Sequence, residues 1–312
     1  RADFGLMKAT LQYLASQDAL EVSVVVTGQH LLAKYGKTRD EISASGLTIM
    51  AEIPVVLTGQ GGAEMGTALA HELIGFLQTW QQNRPDLVLV LGDRGEMLAA
   101  ALAAVHLGIP VAHLHGGEVS GTLDESFRHA ISKLSHYHFT PNSDAKERLL
   151  RMGEDLNHVW KVGAPGLVGL TDGIPKLPDW LQETFGLSPA KHAVVVVFHP
   201  VVQEAQDVGR QMRAVLDLLI SQQCSAVILR PNSDAGGGAI DDILDGVSTN
   251  QFAVRDHLTR TEYLTSLANA DMLVGNSSSG IIESASFDLP CLNLGSRQNG
   301  RLSNTNVIDC SV

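Results

Sequence analysis

The sequence predicts an α/β protein of two parallel-sheet domains that face a central cleft. Three observations lead there. Short unbroken apolar runs, among them Leu87 to Leu91 and Ala193 to Phe198, read as strands buried on both faces. Stretches of helical length and periodicity alternate with those runs, the pattern of parallel strands joined by crossover helices. The alternation then starts afresh after Gly163-Ala164-Pro165-Gly166, a Gly/Pro cluster that marks a hinge. The expected domains are 1–165 and 166–312, each near the usual domain size of about 150 residues.

In the first domain, residues 6–17 carry Leu6, Met7, Leu11 and Leu14 at helical spacing, and 21–27 form a strand ending at Gly28-Gln29-His30. Residues 31–46 are polar and mixed, 49–56 are a candidate strand broken by Pro54, and the glycine-rich 59–66 reads as a mobile loop. Leu69, Leu73, Phe76, Leu77 and Trp80 line one face of a helix over 67–81. Next comes a β-α-β unit: strand 87–91 ending in Gly92-Asp93-Arg94, an Ala/Leu-rich helix over 97–107 stopped by Gly108, and a second strand opened by Pro110 and closed by His113, His115 and Glu118. A helix over 124–136, a strand at 137–141, a helix over 143–152 and a strand at 158–162 complete this half.

The second domain repeats the grammar. Strand 193–198 ends in His199-Pro200, helix 208–222 follows, and strand 225–229 runs into Arg230-Pro231-Asn232-Ser233-Asp234 and three glycines. After a helix from 240, a strand at 252–254 and a helix over 261–268, the strand 272–274 opens into Gly275-Asn276-Ser277-Ser278-Ser279-Gly280 and a helix from 281. A last strand covers 289–294. The chain starts directly on a helix that a strand should precede and stops without a closing helix, so it reads as the internal portion of a longer chain.

With 44% hydrophobic and 18% charged residues the chain can build full cores. A net charge of −12 argues against nucleic-acid or anionic-membrane partners. Three well-separated cysteines, no signal peptide and no apolar run of spanning length point to a reduced, cytoplasmic protein.

Chemistry concentrates where strands end, the edge at which open α/β sheets bind ligands. Asp93 and Glu118 close the two strands of one β-α-β unit. Asp124 and Glu125 stand at a helix start, where capping alone would also explain them. The Gly275–Gly280 turn offers free N–H groups and serine hydroxyls to a phosphate, with Glu283 one turn further in to accept ribose hydroxyls. It is neither a Walker loop nor a dinucleotide fingerprint. His199 sits at the same edge. Arg1 and Arg301 are candidate phosphate contacts. The His113/His115 and His136/His138 pairs lack the remaining ligands of a zinc site, so no metal is expected.

Together these motifs resemble the hydrolysing UDP-N-acetylglucosamine 2-epimerases of sialic-acid-type sugar synthesis. The anchors are Arg1-Ala-Asp3, Gly92-Asp93-Arg94, His113-Leu-His-Gly-Gly-Glu118, Asp124-Glu-Ser-Phe-Arg-His-Ala-Ile-Ser-Lys133, His199-Pro200, Pro231 to Gly237, Gly275 to Glu283 and Arg297-Gln-Asn-Gly-Arg301. In order, they span nearly the whole chain. The resemblance implies two Rossmann-like domains of glycosyltransferase-B type, and elimination of UDP to a 2-acetamidoglucal followed by hydration to free N-acetylmannosamine, with no cofactor. It places acid/base work on Asp93, Glu118, Asp124 and Glu125, and His199 beside the diphosphate. Nucleotide contacts fall on Arg1, Ser277, Ser278 and Glu283. Arg94, His113, Arg230, Asn232, Ser279, Gly280 and Arg301, from the same motifs, complete the expected substrate contacts. A homodimer or homotetramer is expected. The non-sialic branch ends the strand after the first βα unit in H-x-E-x-G. Here His115 takes the third position and the acid waits until Glu118, which favours the sialic/legionaminic branch and leaves open which carboxylate meets the sugar C2 proton. The same reaction on UDP-N,N'-diacetylbacillosamine, or a nucleotide-sugar glycosyltransferase, are the alternatives.

Overall fold

A computed structural model describes residues 2–33, 38–57, 61–232, 234–247 and 249–312. Every strand pairing it contains is parallel. The second half of the chain builds one six-stranded sheet from β7 (His192–Val197), β8 (Cys224–Leu229), β9 (Phe252–Arg255), β10 (Met272–Gly275), β11 (Cys291–Leu294) and β12 (Val307–Cys310). Their spatial order is β12-β11-β10-β7-β8-β9, so the winding reverses between β7 and β10. A crevice opens at the carboxyl ends of two strands where the winding reverses. His199 follows β7 and the serine turn follows β10.

The continuous apolar strands explain two cores in this half. Val195, Val197, Leu273 and Cys291 face one side, and Val194, Val196, Ile228 and Val274 the other. Helix α8 (Val208–Ser221) covers the second face with Val208, Met212, Val215 and Leu219. Helix α10 (Arg260–Asn269) covers the first with Leu264 and Leu267, and Thr259 and Glu262 cap it reciprocally.

In the first half, β3 (Val88–Leu91), β4 (Val111–Leu114), β5 (Tyr137–Thr140) and β6 (Val159–Lys161) form a four-stranded sheet in that order. β1 (Ser23–Thr27) and β2 (Thr48–Ile53) form a separate pair. One core joins them: Val25, Met50 and Ile53 pack with Val88, Val90, Val111 and five fully or nearly fully buried alanines of α4 (Gly95–His106). The small alanine side chains let α4 lie close to both the sheet and α3 (Gly62–Gln82).

Several elements depart from the sequence reading. Helix α3 starts at Gly62, so most of the expected loop at 59–66 is its first turn, and residues 58–60 lie outside the described ones. The polar 31–46 stretch holds a short helix α2 (Arg39–Ala44), and an unexpected α7 (Trp180–Phe185) tucks Leu181 and Phe185 under the second sheet. Helix α5 (Asp124–Leu134) stops before His136, whose ring accepts the Val111 N–H at 3.2 Å. Residues 307–310, which read as a strand or a connector, are a strand, β12, paired along its length with β11.

The two halves meet along a seam of main chain. The Gly121 N–H donates to the Arg297 carbonyl at 3.0 Å, and a Cβ on Gly121 would collide with the Ser296 carbonyl. Among the described residues, no helix is long and apolar enough to cross a membrane.

Candidate active site

The wall contributed by the second half begins with Asn276. Its side chain accepts from the His199 N–H at 2.7 Å and donates to the His199 carbonyl at 2.8 Å, which ties the end of β7 to the end of β10. Gly275 is required between them, since its φ is +141° and a Cβ would strike the Val197 carbonyl. The Asn232 N–H donates to His199 Nδ1 at 3.3 Å. A ring nitrogen that accepts carries no proton, so neutral His199 holds its hydrogen on Nε2 and can donate it to an acceptor in the cleft.

Ser277 caps α11 (Ser278–Ile282) and takes the Ser279 and Gly280 N–H groups at 3.3 and 3.1 Å. The helix is a little over one turn long, less of an anion site than the sequence suggested. Ser277 and Ser278 line the cleft with Glu283 behind them. Ser279, expected as a substrate contact, lines the cleft with them, but its hydroxyl is engaged on both sides within the wall. It accepts from Tyr263 Oη at 2.6 Å and donates to Glu283 at 2.5 Å, and burial pushes the tyrosine well above its usual range. Gly280 packs against Cys291 and Leu273 and presents no side chain. Arg230 lines the cleft, but Asp241, Asp245 and Asp256 surround its guanidinium at 2.5–3.2 Å. Its charge is already neutralised. Arg1 lies outside the described residues.

The opposite wall carries the carboxylates. Asp93 is paired with Arg128, which is 1% exposed although it sits on α5. Glu118 accepts through one oxygen from Arg301 at 2.9 Å and faces His115 Nδ1 at 3.2 Å. Burial alone would raise the Glu118 carboxyl, but the His115 hydrogen bond and the Arg301 charge outweigh it and hold it at about 2. His115 adopts φ +62°, an uncommon conformation for a non-glycine residue, and this aims its ring back at Glu118. Asp124 lines the same wall, where burial and the neighbouring Asp93 push it up to about 6. Asp3, from α1 (Ala2–Ala15), joins them and is likewise raised by burial. Arg94 bridges the cleft to Asp234 at 2.9 Å.

Two expected site residues are corrected. His113, expected to touch substrate, is fully buried behind the wall; Nε2 donates to the Gly92 carbonyl at 2.8 Å and Nδ1 faces Ser132 at 3.1 Å. Burial pushes it down to about 3, so it stays neutral and shapes the turn that presents Asp93. Glu125 turns away and accepts the Ser120 N–H at 2.6 Å, holding the loop after Glu118. The histidine pairs are occupied too, His138 by Glu154 at 3.1 Å and His136 by the Val111 N–H.

Asp93, Arg94, Glu118, Asp124, His199, Asn232, Ser277, Ser278, Glu283 and Arg301 are thus brought to one cleft. Sequence reasoning passed over Asp3, Arg128, Arg260 and Arg297, which also line it, and Asp234, which pairs with the cleft residue Arg94. All but Arg260 lay inside or beside the quoted motifs, which was the one available signal.

A doubly wound sheet facing a second parallel sheet, with carboxylates on one wall and a serine turn on the other, defines a two-domain α/β enzyme of glycosyltransferase-B-like fold. The family model described as UDP-N-acetylglucosamine 2-epimerase matches residues 12–312, and the chain belongs to that family. It is 46% identical over its full length, and 83% of the relative's, to a UDP-N,N'-diacetylbacillosamine 2-epimerase (hydrolyzing) of Legionella pneumophila. It is 33% identical over 99% of its length, and 81% of the relative's, to a UDP-N-acetylglucosamine 2-epimerase of Neisseria meningitidis. Among solved structures it resembles the Neisseria meningitidis UDP-GlcNAc 2-epimerase bound to UDP-GlcNAc, with a TM-score of 0.76 at 19% identity over 96% of this chain and 81% of that one. The chain is therefore an epimerase, and the glycosyltransferase alternative falls away.

Proposed function

We propose that this epimerase hydrolyses a UDP-linked 2-acetamido sugar with inversion at C2, and that its substrate is UDP-N,N'-diacetylbacillosamine. The substrate assignment rests on the name of the 46% identical Legionella pneumophila relative and departs from the N-acetylglucosamine expected from the motifs. UDP-N-acetylglucosamine is the second reading, favoured by the name of the 33% identical Neisseria meningitidis relative. The observation that carries the chemistry is a set of carboxylates with opposed acidities, Glu118 at about 2 and Asp124 at about 6, on one wall of the cleft.

In the first step a carboxylate takes the C2 hydrogen, the C1–O bond to UDP breaks with its electron pair leaving on the diphosphate, and a 2-acetamidoglucal forms. Asp124 handles the proton, since an acidity near neutrality suits a group that must both take and give one, and Asp93 beside it is its partner. Glu118 remains an anion throughout and steadies positive charge that builds at C1. In the second step water adds its oxygen to C1, a carboxylic acid protonates C2 from the other face and regains the proton released by water, and the C2 proton held by the first carboxylate passes to solvent. Nε2–H of His199 and the hydroxyls of Ser277 and Ser278 serve the departing diphosphate, and Glu283 the ribose. The unpaired Cys224, Cys291 and Cys310 fit a reducing, cytoplasmic setting. The test is proton NMR in heavy water with each UDP-sugar and no acceptor. Release of UDP with a 2-epimerised free sugar deuterated at C2, faster from the diacetylated substrate, is expected. No UDP release from either sugar would overturn the proposal, and faster turnover of UDP-N-acetylglucosamine would establish the second reading.

A further inference from the structure

Arg260 stands at the start of α10, outside every motif the sequence marked, and three contacts meet on it. Its guanidinium lies 2.6 Å from the Glu283 carboxylate, which is 3% exposed and otherwise takes the Ser279 hydroxyl at 2.5 Å. The same guanidinium nitrogen donates to the Gly166 carbonyl at 3.0 Å, on the segment that carries the chain from one half to the other. Its Cδ approaches the Gly5 position on α1, and Leu6 of the same helix packs directly on Gly166. Arg260 therefore joins the carboxylate assigned to the ribose, the crossover segment, and the helix that brings Asp3 to the cleft.

A buried carboxylate with a single close cation responds to anything that changes its hydrogen bonds. A ribose hydroxyl donating to Glu283 takes up part of its negative charge and its free lone pairs. The Arg260 guanidinium then binds Glu283 less strongly and the Gly166 carbonyl more strongly. Glycine is needed at 166, since a side chain would displace Leu6, so the carbonyl and α1 move as one piece.

We propose that Arg260 is a positioning residue that couples nucleotide occupancy at Glu283 to the seating of α1 and its cleft-facing residues against the second half. It touches no reacting atom. The role deepens the reading above and rests on UDP occupying the serine-turn side of the cleft. Lysine at 260 keeps the charge for Glu283, but its ammonium ends closer to the backbone than the terminal guanidinium nitrogen that makes both contacts, so it cannot hold the carboxylate and the carbonyl at once.

The experiment compares wild type, Arg260→Lys and Arg260→Met by calorimetric UDP titration, steady-state kinetics and solution scattering with and without UDP. Wild type is expected to bind UDP and become more compact with it. Arg260→Lys should keep UDP affinity within about threefold, lose the UDP-dependent compaction and lower kcat by about tenfold, a barrier higher by about 1.4 kcal/mol. Arg260→Met should show the same loss of compaction with weaker UDP binding. Wild-type compaction and kcat in Arg260→Lys would overturn the coupling, as would UDP binding by wild type with no compaction. Equal losses of kcat and UDP affinity in Arg260→Lys would leave a merely structural arginine and also overturn it. Failure of wild type to bind UDP would instead sink the functional reading on which the coupling rests.

Discussion

Replacing Arg301 by Met tests the electrostatics of the site most directly. Arg301 and Glu118 belong to opposite halves of the chain, 183 residues apart, and their side chains are 9% and 7% exposed. Glu118 is drawn from the ordinary 4.5 to about 2, although burial alone would raise it. At about 1.4 kcal/mol per pH unit, the ionised form is favoured by about 3 kcal/mol over its unfolded reference. A folded-state acidity below the unfolded value stabilises above pH 4.5 and loses that contribution as pH falls toward 2. His115 shares the effect with Arg301, so removing the arginine should cost about 1–3 kcal/mol at pH 7. Burial then dominates, and the Glu118 carboxyl should rise by at least about one pH unit. Urea unfolding at pH 7 measures the first quantity. The acid limb of the stability–pH profile measures the second and should move to higher pH. Unchanged stability together with an unchanged acid limb would refute the reasoning, because a buried carboxylate cannot lose its closest cation without cost.

Three other substitutions probe the remaining wall. Asp93→Asn should lower kcat by about 10²–10⁴ while UDP affinity by calorimetry stays within a few-fold, and normal turnover in a folded, UDP-binding variant would remove Asp93 from the acid/base pair. Asp124→Asn should raise the melting temperature at pH 8 and abolish most activity. A carboxyl raised to about 6 stabilises fully below pH 3.8 and loses that contribution as pH rises through 6, so its ionised form is the costly one; the gain should vanish in melts at pH 4. His113→Phe should unfold more easily, by about 2–4 kcal/mol, because the Gly92 carbonyl and Ser132 lose their partner. UDP affinity should not move, and a calorimetric loss of UDP binding without a loss of stability would return His113 to the ligand.

The strands were legible because buried parallel strands must be apolar on both faces, and Leu87–Leu91 and Ala193–Phe198 could be little else. The same property hid His113. All four residues of β4 are buried, so no alternation told which histidine pointed at the cleft. Arg128 reads as an ordinary cation on the polar face of α5, and only the path of β3 reveals that Asp93 waits beneath it. Arg230 reads as a substrate contact until β9 and α9 (Gly237–Leu244) deliver three acids around it. Arg94 and Asp234 are 140 residues apart, and no spacing rule links partners across such a distance. Of the paired acids at the α5 start, local sequence could not choose between them. The Ser120 N–H chooses by claiming Glu125.

The halves meet at Gly121 through one carbonyl–amide bond and bare main chain. A joint of that kind reads loop length and ignores side-chain identity. Inserting or deleting one residue near 121 or 297 would shift the whole approach of the two halves, whereas exchanging cleft side chains other than the pairs that join the halves, Arg301 with Glu118, Arg94 with Asp234 and Arg260 with the Gly166 carbonyl, would leave it untouched. Such a lineage can retune which sugar it accepts without relearning how to close. Relatives named for an N-acetylglucosamine and for a diacetylated bacillosamine would then differ in the furniture of the cleft and share its frame.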